Sequence, residues 1–181
     1  MTFLPDNYQP PAASGGNYTK LAQGKTTIRI LGDAIIGYLG WGEEAGKRKP
    51  YRSKDLPPAG TFEEKAKHFW AFPVWNHSAN SMQILEITQK GIQGALVELY
   101  RDDSWGDPQR YDIVITREGE NLETSYTVMP KMPSELSGAA LAIINDALPK
   151  LNIEALYTGD DPFAAMESQQ TNDNDPFGTT A

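Results

Sequence analysis

The chain has no cysteine and only two histidines among its 181 residues. The first absence excludes a disulfide framework, a thiolate metal site and a cysteine nucleophile. The second leaves few ways to build a metal or acid–base centre: His68 and His77 stand nine apart, at either end of an expected strand, and not at the spacing of an HExxH helix. No stretch reaches the run of about 18 apolar residues that a membrane-spanning helix needs. The opening MTFLPDNYQPPAASGG lacks both a basic n-region and an apolar h-region. A soluble, unprocessed, cytoplasmic protein is expected.

Charge of one sign is also missing locally. Residues 47–54 hold five Lys or Arg and no acid within a chain of net charge −8, whereas residues 151–181 hold six acids (Glu154, Asp160, Asp161, Glu167, Asp173, Asp175) and no Lys or Arg. Subtracting that −6 leaves −2 for residues 1–150, so the body is close to neutral and its cations are concentrated. The basic stretch GKRKPYRSKDLPPAG leads into KHFWAFPVWN, where Phe69, Trp70, Phe72 and Trp75 are four of the chain's 18 aromatic residues. Cations that follow a phosphate backbone, beside rings on which unpaired bases stack, are the two components of single-strand nucleic-acid binding. The plainer alternative is a solvated basic loop before an ordinary core strand, and the rest of the chain has to decide between them.

Residues 1–24 are rich in Pro, Gly, Ser and Asn without an apolar period and are expected to form a flexible arm, whose Phe3, Leu4 and Tyr8 could enter a groove. Residues 25–31 alternate as a half-buried strand. After a bend at Gly32-Asp33 the chain resumes at 35–41, where Gly37 and Gly40 predict a bulge or a close backbone approach. Residues 67–76 and 82–88 read as a hairpin, GIQGALVELYRDD as a helix with Ile92, Ala95, Leu96 and Leu99 on one face, and 111–117 and 122–128 as two further strands. A C-terminal helix is expected over 134–148, capped by Ser134, with Ala139, Ile143, Ile144 and Leu148 buried and Pro149 ending it. Residues 151–181 lose periodicity and are expected to be a disordered acidic tail.

Five strands with a helix between the third and fourth, and a long loop between the first and second, is the layout of an OB-fold barrel, here over residues 25–150. Such a barrel binds oligonucleotides on its second and third strands and the loops that flank them. The basic segment would be the first of those loops and the aromatic strand the second strand. With NHSANS as the hairpin link, Trp70 and Phe72 are expected to share a face with Ile84 and Glu86, and Ala71, Pro73 and Trp75 a face with Leu85 and Ile87. Glu86 marks the exposed face, which makes Trp70 and Phe72 the stacking rings and Trp75 a core residue.

The series TTIRIL, KHFWAFPVWN running into MQILEITQKGIQGALVEL, DSWGDPQRYDIVITREG and a DPF-bearing acidic tail resembles phage-encoded single-stranded DNA-binding proteins, the helix-destabilising replication proteins with an OB-fold. The likeness covers about residues 22–148, with the tail added. It implies non-catalytic coating of single-stranded DNA in replication, recombination and repair. The tail resembles the acidic, Phe-bearing tip of bacterial single-stranded DNA-binding proteins, as Asp161-Pro162-Phe163 and Asp175-Pro176-Phe177. It departs from that tip because residues 178–181 follow the second Phe. Some phage members hold zinc, and the ligating cysteines are absent here, so no metal or cofactor is expected.

The expected site takes Lys47, Arg48, Lys49, Arg52 and Lys54 to phosphates, with Arg29 adding a contact, and Trp70 and Phe72 to bases, with Tyr38, Trp41 and Tyr51 as further stacking candidates. Its ligand is single-stranded DNA, with RNA and weakly bound duplex as lesser ones. The tail would recruit partner proteins and compete for the groove. Two other classes remain open: a metal-dependent nuclease built on Asp102, Asp103 and Asp107, and a non-catalytic interaction scaffold.

Overall fold

Strand β4, Lys67–Asn76, carries the aromatic run and is the strand on which the others are assembled. The computed structural model describes residues 16–173. Around β4 lie β1 (Gly24–Ile30), β2 (Ile35–Glu44), β3 (Lys47–Ser53), β5 (Ser81–Ile87), β6 (Asp112–Glu118) and β7 (Ser125–Pro130), with helices α1 (Lys90–Arg101), α2 (Gly138–Ala147) and α3 (Ala164–Asp173). All strands pair antiparallel in the order β3-β2-β4-β1-β6-β7, with β5 on the other edge of β4.

The expected five-stranded OB-fold barrel is therefore not formed; the sheet has seven strands and stays open. Closure requires that two edge strands meet. Here β3 extends β2 outward at one end and β7 ends the other, and no pairing joins them among the described residues. The far edge of β5 is taken by the end of the N-terminal arm: Thr19 N donates to Ile84 O at 2.9 Å and Ile84 N to Asn17 O at 2.9 Å. Blocking an edge in this way removes a template for pairing with other chains.

One edge of β4 serves two strands. β1 pairs with its end (Ile30↔Val74) and β2 with its start (Ile35↔Ala71), so four residues, 31–34, oppose two, 72–73. This bulge is the bend expected at Gly32-Asp33. It also explains a proline inside a central strand: Pro73 sits opposite the bulge, where its carbonyl still accepts from Leu31 N at 2.9 Å and no ladder N–H is required of it. At Gly37 a Cβ would stand 2.2 Å from the Ser53 carbonyl oxygen, so the close backbone approach expected of the β2 glycines is present.

The segment expected to be a basic loop is strand β3. It forms a hairpin with β2 through Ala45-Gly46, both at positive φ (51° and 74°), the geometry of a two-residue turn that matches strand twist. Its Pro50 is tolerated because β3 is an edge strand.

Both faces of β4 are buried. One core gathers Phe72, Val74, Leu85 and Ile87 with Ile28, Ile113 and Ile115 beneath Ile92 and Leu96 of α1. The other gathers Phe69, Ala71, Trp75, Met82 and Ile84 beneath Ala140 and Ile144 of α2, Leu156 and Phe163. Helix α2 starts later than expected: Ser137, not Ser134, is the N-cap, accepting from Ala140 N at 3.1 Å. Ile144 is buried as expected, but Ala139 and Ile143 are exposed. Residues 151–163 depart from the expected disordered tail. A 3-10 turn, Ile153–Tyr157, buries Leu156, and Phe163 is 4% exposed. The apolar residues scattered through the acidic sequence cover the second face of β4, which α2 alone leaves open.

Candidate nucleic-acid interface

Cross-strand partners point to the same side of a sheet, so the register sorts the candidate side chains by face. Ile36 pairs with Trp70, Tyr38 with His68 and Ser53, Gly40 with Tyr51, Gly42 with Lys49 and Glu44 with Lys47. One face of the β2, β3 and β4 strands thus carries Trp70, Ile36, His68, Tyr38, Tyr51, Lys49 and Lys47 in a row. It is the face on which α1 sits further along the sheet: Gln93 of α1 donates to the His68 carbonyl at 3.3 Å, Leu96, Val97 and Tyr100 share a cleft with Trp70, and Phe62 covers the row at Gly40 and Tyr51. Over the eight steps from Ile36 to Glu44 it extends roughly 27 Å at the usual strand rise. Trp41 and Arg48 lie on the opposite face of the same hairpin, with the Arg48 guanidinium 4.8 Å from the Trp41 ring centre.

The rings differ in availability. Tyr51 and Trp41 are each 38% exposed. Tyr51 stacks on Phe62 from the β3–β4 loop (centroids 5.8 Å, planes 30° apart), and Phe62 lies where a Cβ on Gly40 would be. Tyr38 packs against the His68 ring at 5.4 Å, and Trp70 donates its indole N–H to His68 Nε2 at 3.2 Å. Trp70 is half-buried. Phe72 is 2% exposed and belongs to the core, which removes it as a stacking residue. The face assignment expected for the hairpin is shifted by one: Trp70 pairs with Ile87 and Phe72 with Leu85, while Glu86 opposes Ala71. Trp75, at 2%, is in the core as expected.

The cations divide by the strength with which they are already held. Arg29 is buried, bonding Asp112 at 2.9 Å through Nε and the Ser134 carbonyl at 2.8 Å through Nη2, so it is withdrawn as a phosphate contact. Arg52 is bonded through two nitrogens to Glu86, with both side chains mostly covered, and is withdrawn likewise. Breaking such buried pairs is expensive. Lys47, Arg48 and Lys54 are exposed and Lys49 is half-buried. Lys47 projects from the hairpin, Arg48 and Lys54 meet Glu64 and Glu154 at 3.5 Å, and Lys54 also lies 5.1 Å from the Tyr157 ring centre. Lys49 pairs with Glu44, whose hydrogen bond and charge hold its ammonium above the usual lysine range. Surface pairs of this kind contribute little, and their carboxylates can be exchanged for phosphate oxygens.

At the α1 end the row opens into a cleft of about 440 Å³ lined by Ile36, Trp70, Phe72, Leu96, Val97 and Tyr100, with Asp33, Asp107 and Gln109 at its polar side. His68, Ile36, Phe62 and Tyr100 were not readable as site residues in sequence, because each reaches the face through a neighbouring strand, loop or helix. The acidic turn after α1 serves the backbone: Asp102 accepts from Ser104 N (2.7 Å) and Trp105 N (3.2 Å), and Asp107 from Gln109 N (2.9 Å). Among the described residues Asp102, Asp103 and Asp107 form no group able to hold a metal ion, and no helix is long and apolar enough to cross a membrane. In the first DPF, Pro162 and Phe163 are buried, the ring edge-on to Tyr18 at 6.3 Å, and Asp161 accepts from Phe163 N at 2.9 Å. It is a packing element, not a free tail motif. The second, Asp175, Pro176 and Phe177, lies outside the described residues, as do Phe3, Leu4 and Tyr8. Comparison with protein-family models, with curated proteins and with solved structures finds no match.

Proposed function

We propose that this chain binds single-stranded DNA with little sequence preference along the β2–β3 hairpin and the adjoining face of β4. The observation that carries the reading is the row of Trp70, His68, Tyr38, Tyr51, Lys49 and Lys47 on one sheet face, with Phe62 stacked on it at Tyr51. Phosphates would run past Lys47, Arg48 and Lys49 while bases stack on Tyr51, Tyr38 and Trp70, and Trp41 adds a ring on the hairpin's other flank. Stacking needs unpaired bases, so duplex is the weaker ligand, and RNA is bound through the same contacts. Because phosphates must displace Glu44 and Glu64, affinity is moderated by the protein's own acids. Coating of DNA intermediates in phage replication, recombination or repair follows from the family resemblance, as does partner recruitment through the second DPF.

The test is quenching of tryptophan fluorescence by an oligonucleotide across a salt series. Each phosphate neutralised on a single strand adds about −0.7 to the slope of log affinity against log salt. Replacing Lys47, Arg48 and Lys49 together with Ala should therefore flatten the slope by roughly 2. An unchanged slope would remove the hairpin from the site.

A further inference from the structure

We infer that the cleft at the α1 end of the aromatic row is a base-selective subsite, one that takes an unpaired nucleobase by an edge bearing an exocyclic amino group. The inference rests on the single-strand reading above and adds a preference to it. The volume, about 440 Å³, lies within the usual range for small-ligand sites of about 300–1,000 Å³. Its walls offer a flat base two rings from different elements: Trp70 on β4 and Tyr100 on α1, the latter 64% exposed with no core role. Ile36, 52% exposed, continues the apolar surface between them.

The polar side sets the selectivity. Asp33 and Asp107 contribute carboxylates, Gln109 stands between them with its Nε2 3.5 Å from Asp33 Oδ1, and no Lys or Arg lines the cleft. Two carboxylates repel a phosphate, so the strand enters base first and leaves its backbone toward Lys49 and Lys47. A carboxylate only accepts hydrogen bonds. Cytosine, adenine and guanine each present an amino group that donates to it, whereas thymine turns carbonyl oxygens on both sides of its one ring N–H toward the same oxygens. The row then binds any sequence, while this one position favours amino-bearing bases.

The experiment compares oligonucleotides of 5-methyl-deoxycytidine and thymidine of equal length, which share the methyl group and differ at the amino or carbonyl edge. Full-length protein should bind the first more tightly, on the order of tenfold, as for one well-placed polar pair to a base edge. Asp33→Asn with Asp107→Asn should erase the difference, because an amide both donates and accepts, and Asn also replaces Asp at the cap before Gln109. Tyr100→Ala should weaken both oligonucleotides alike. Equal affinity of the unaltered protein for the two would overturn the subsite and leave the single-strand reading standing. A preference that survives in the double variant would also overturn it. Failure to bind either oligonucleotide would defeat the underlying reading itself, and the subsite with it.

Discussion

Two glycines show how local geometry separates necessity from tolerance. At Gly37 any Cβ meets a backbone oxygen at 2.2 Å, and Ser53 cannot retreat without opening the β2–β3 ladder. Gly37→Ala should cost about 1–3 kcal/mol or more, as for overpacked sites. Gly94, in the middle of α1 with nothing within 4 Å of a built Cβ, should gain about 0.5–1 kcal/mol on replacement by Ala. Urea unfolding of the two variants should move the midpoint in opposite directions. Tyr111 makes a third case. It is buried, donates to Gly106 O at 3.3 Å, and its pKa is raised by that burial and then by the charges of Asp107 and Asp102. Below the unfolded value of about 10, folded and unfolded chains both keep the proton and stability is complete. As pH rises above that value only the unfolded chain ionises at first, so stability falls toward the higher folded pKa. Tyr111→Phe should lessen the decline above about pH 10 in thermal unfolding; Tyr18, shifted the same way by burial, leaves part of it. An unaltered decline would show that Tyr111 does not titrate differently on folding.

Among the elements, strand β3 is the one that sequence reading rendered as a loop. Its four cations and Pro50 argue against a strand in isolation, and only the edge position makes them compatible with one. Pairing places Lys47 and Lys49 on one side and Arg48 and Arg52 on the other, and of these four Arg52 alone is committed to a largely covered ion pair, with Glu86. Arg52→Ala should lower stability through the stranded Glu86 while leaving the salt slope of DNA binding unchanged. Trp70→Ala should weaken binding by about 1–3 kcal/mol, the usual worth of a stacked base. Being half-buried against the first core, it should also lower the unfolding midpoint somewhat, so the comparison is with Tyr51→Ala, which should affect binding with little loss of stability. Were both to bind as the unaltered protein does, the aromatic row would have no role in stacking.

For the molecule as a whole, stability depends on both faces of β4 being covered. Trp75→Ala and Phe163→Ala, each emptying a large site in the second core, should each cost about 3–5 kcal/mol. Truncation after Leu151 removes Leu156 and Phe163 together, and should leave a chain that unfolds early or does not fold. Truncation after Asp173 keeps that core and removes only the second DPF and the residues around it. Comparing the two by thermal unfolding and by gel shift separates a structural segment from any competing tail. If the shorter chain unfolded at the same temperature as the full one, the second core would not be contributing.

Strand and helix periods, the glycine bend, the β4–β5 hairpin and the presence of a basic segment beside an aromatic strand were decided by local sequence, because each depends on neighbours within a few residues. The split of Arg29, Arg52 and Phe72 from the site, and the addition of His68, Ile36 and Tyr100 to it, were decided by strand register and helix placement. A shift of one residue in pairing moves every side chain to the other face. The open sheet was likewise a tertiary outcome, since the order of elements along the chain is the same whether its edges meet or not. What the sequence by itself determined was which segments would be extended and where charge would gather. Tertiary structure decided which of those charges and rings face water, because long-range partners such as Asp112, Ser134 and Glu86 neutralise or bury groups that no local pattern distinguishes from their exposed neighbours.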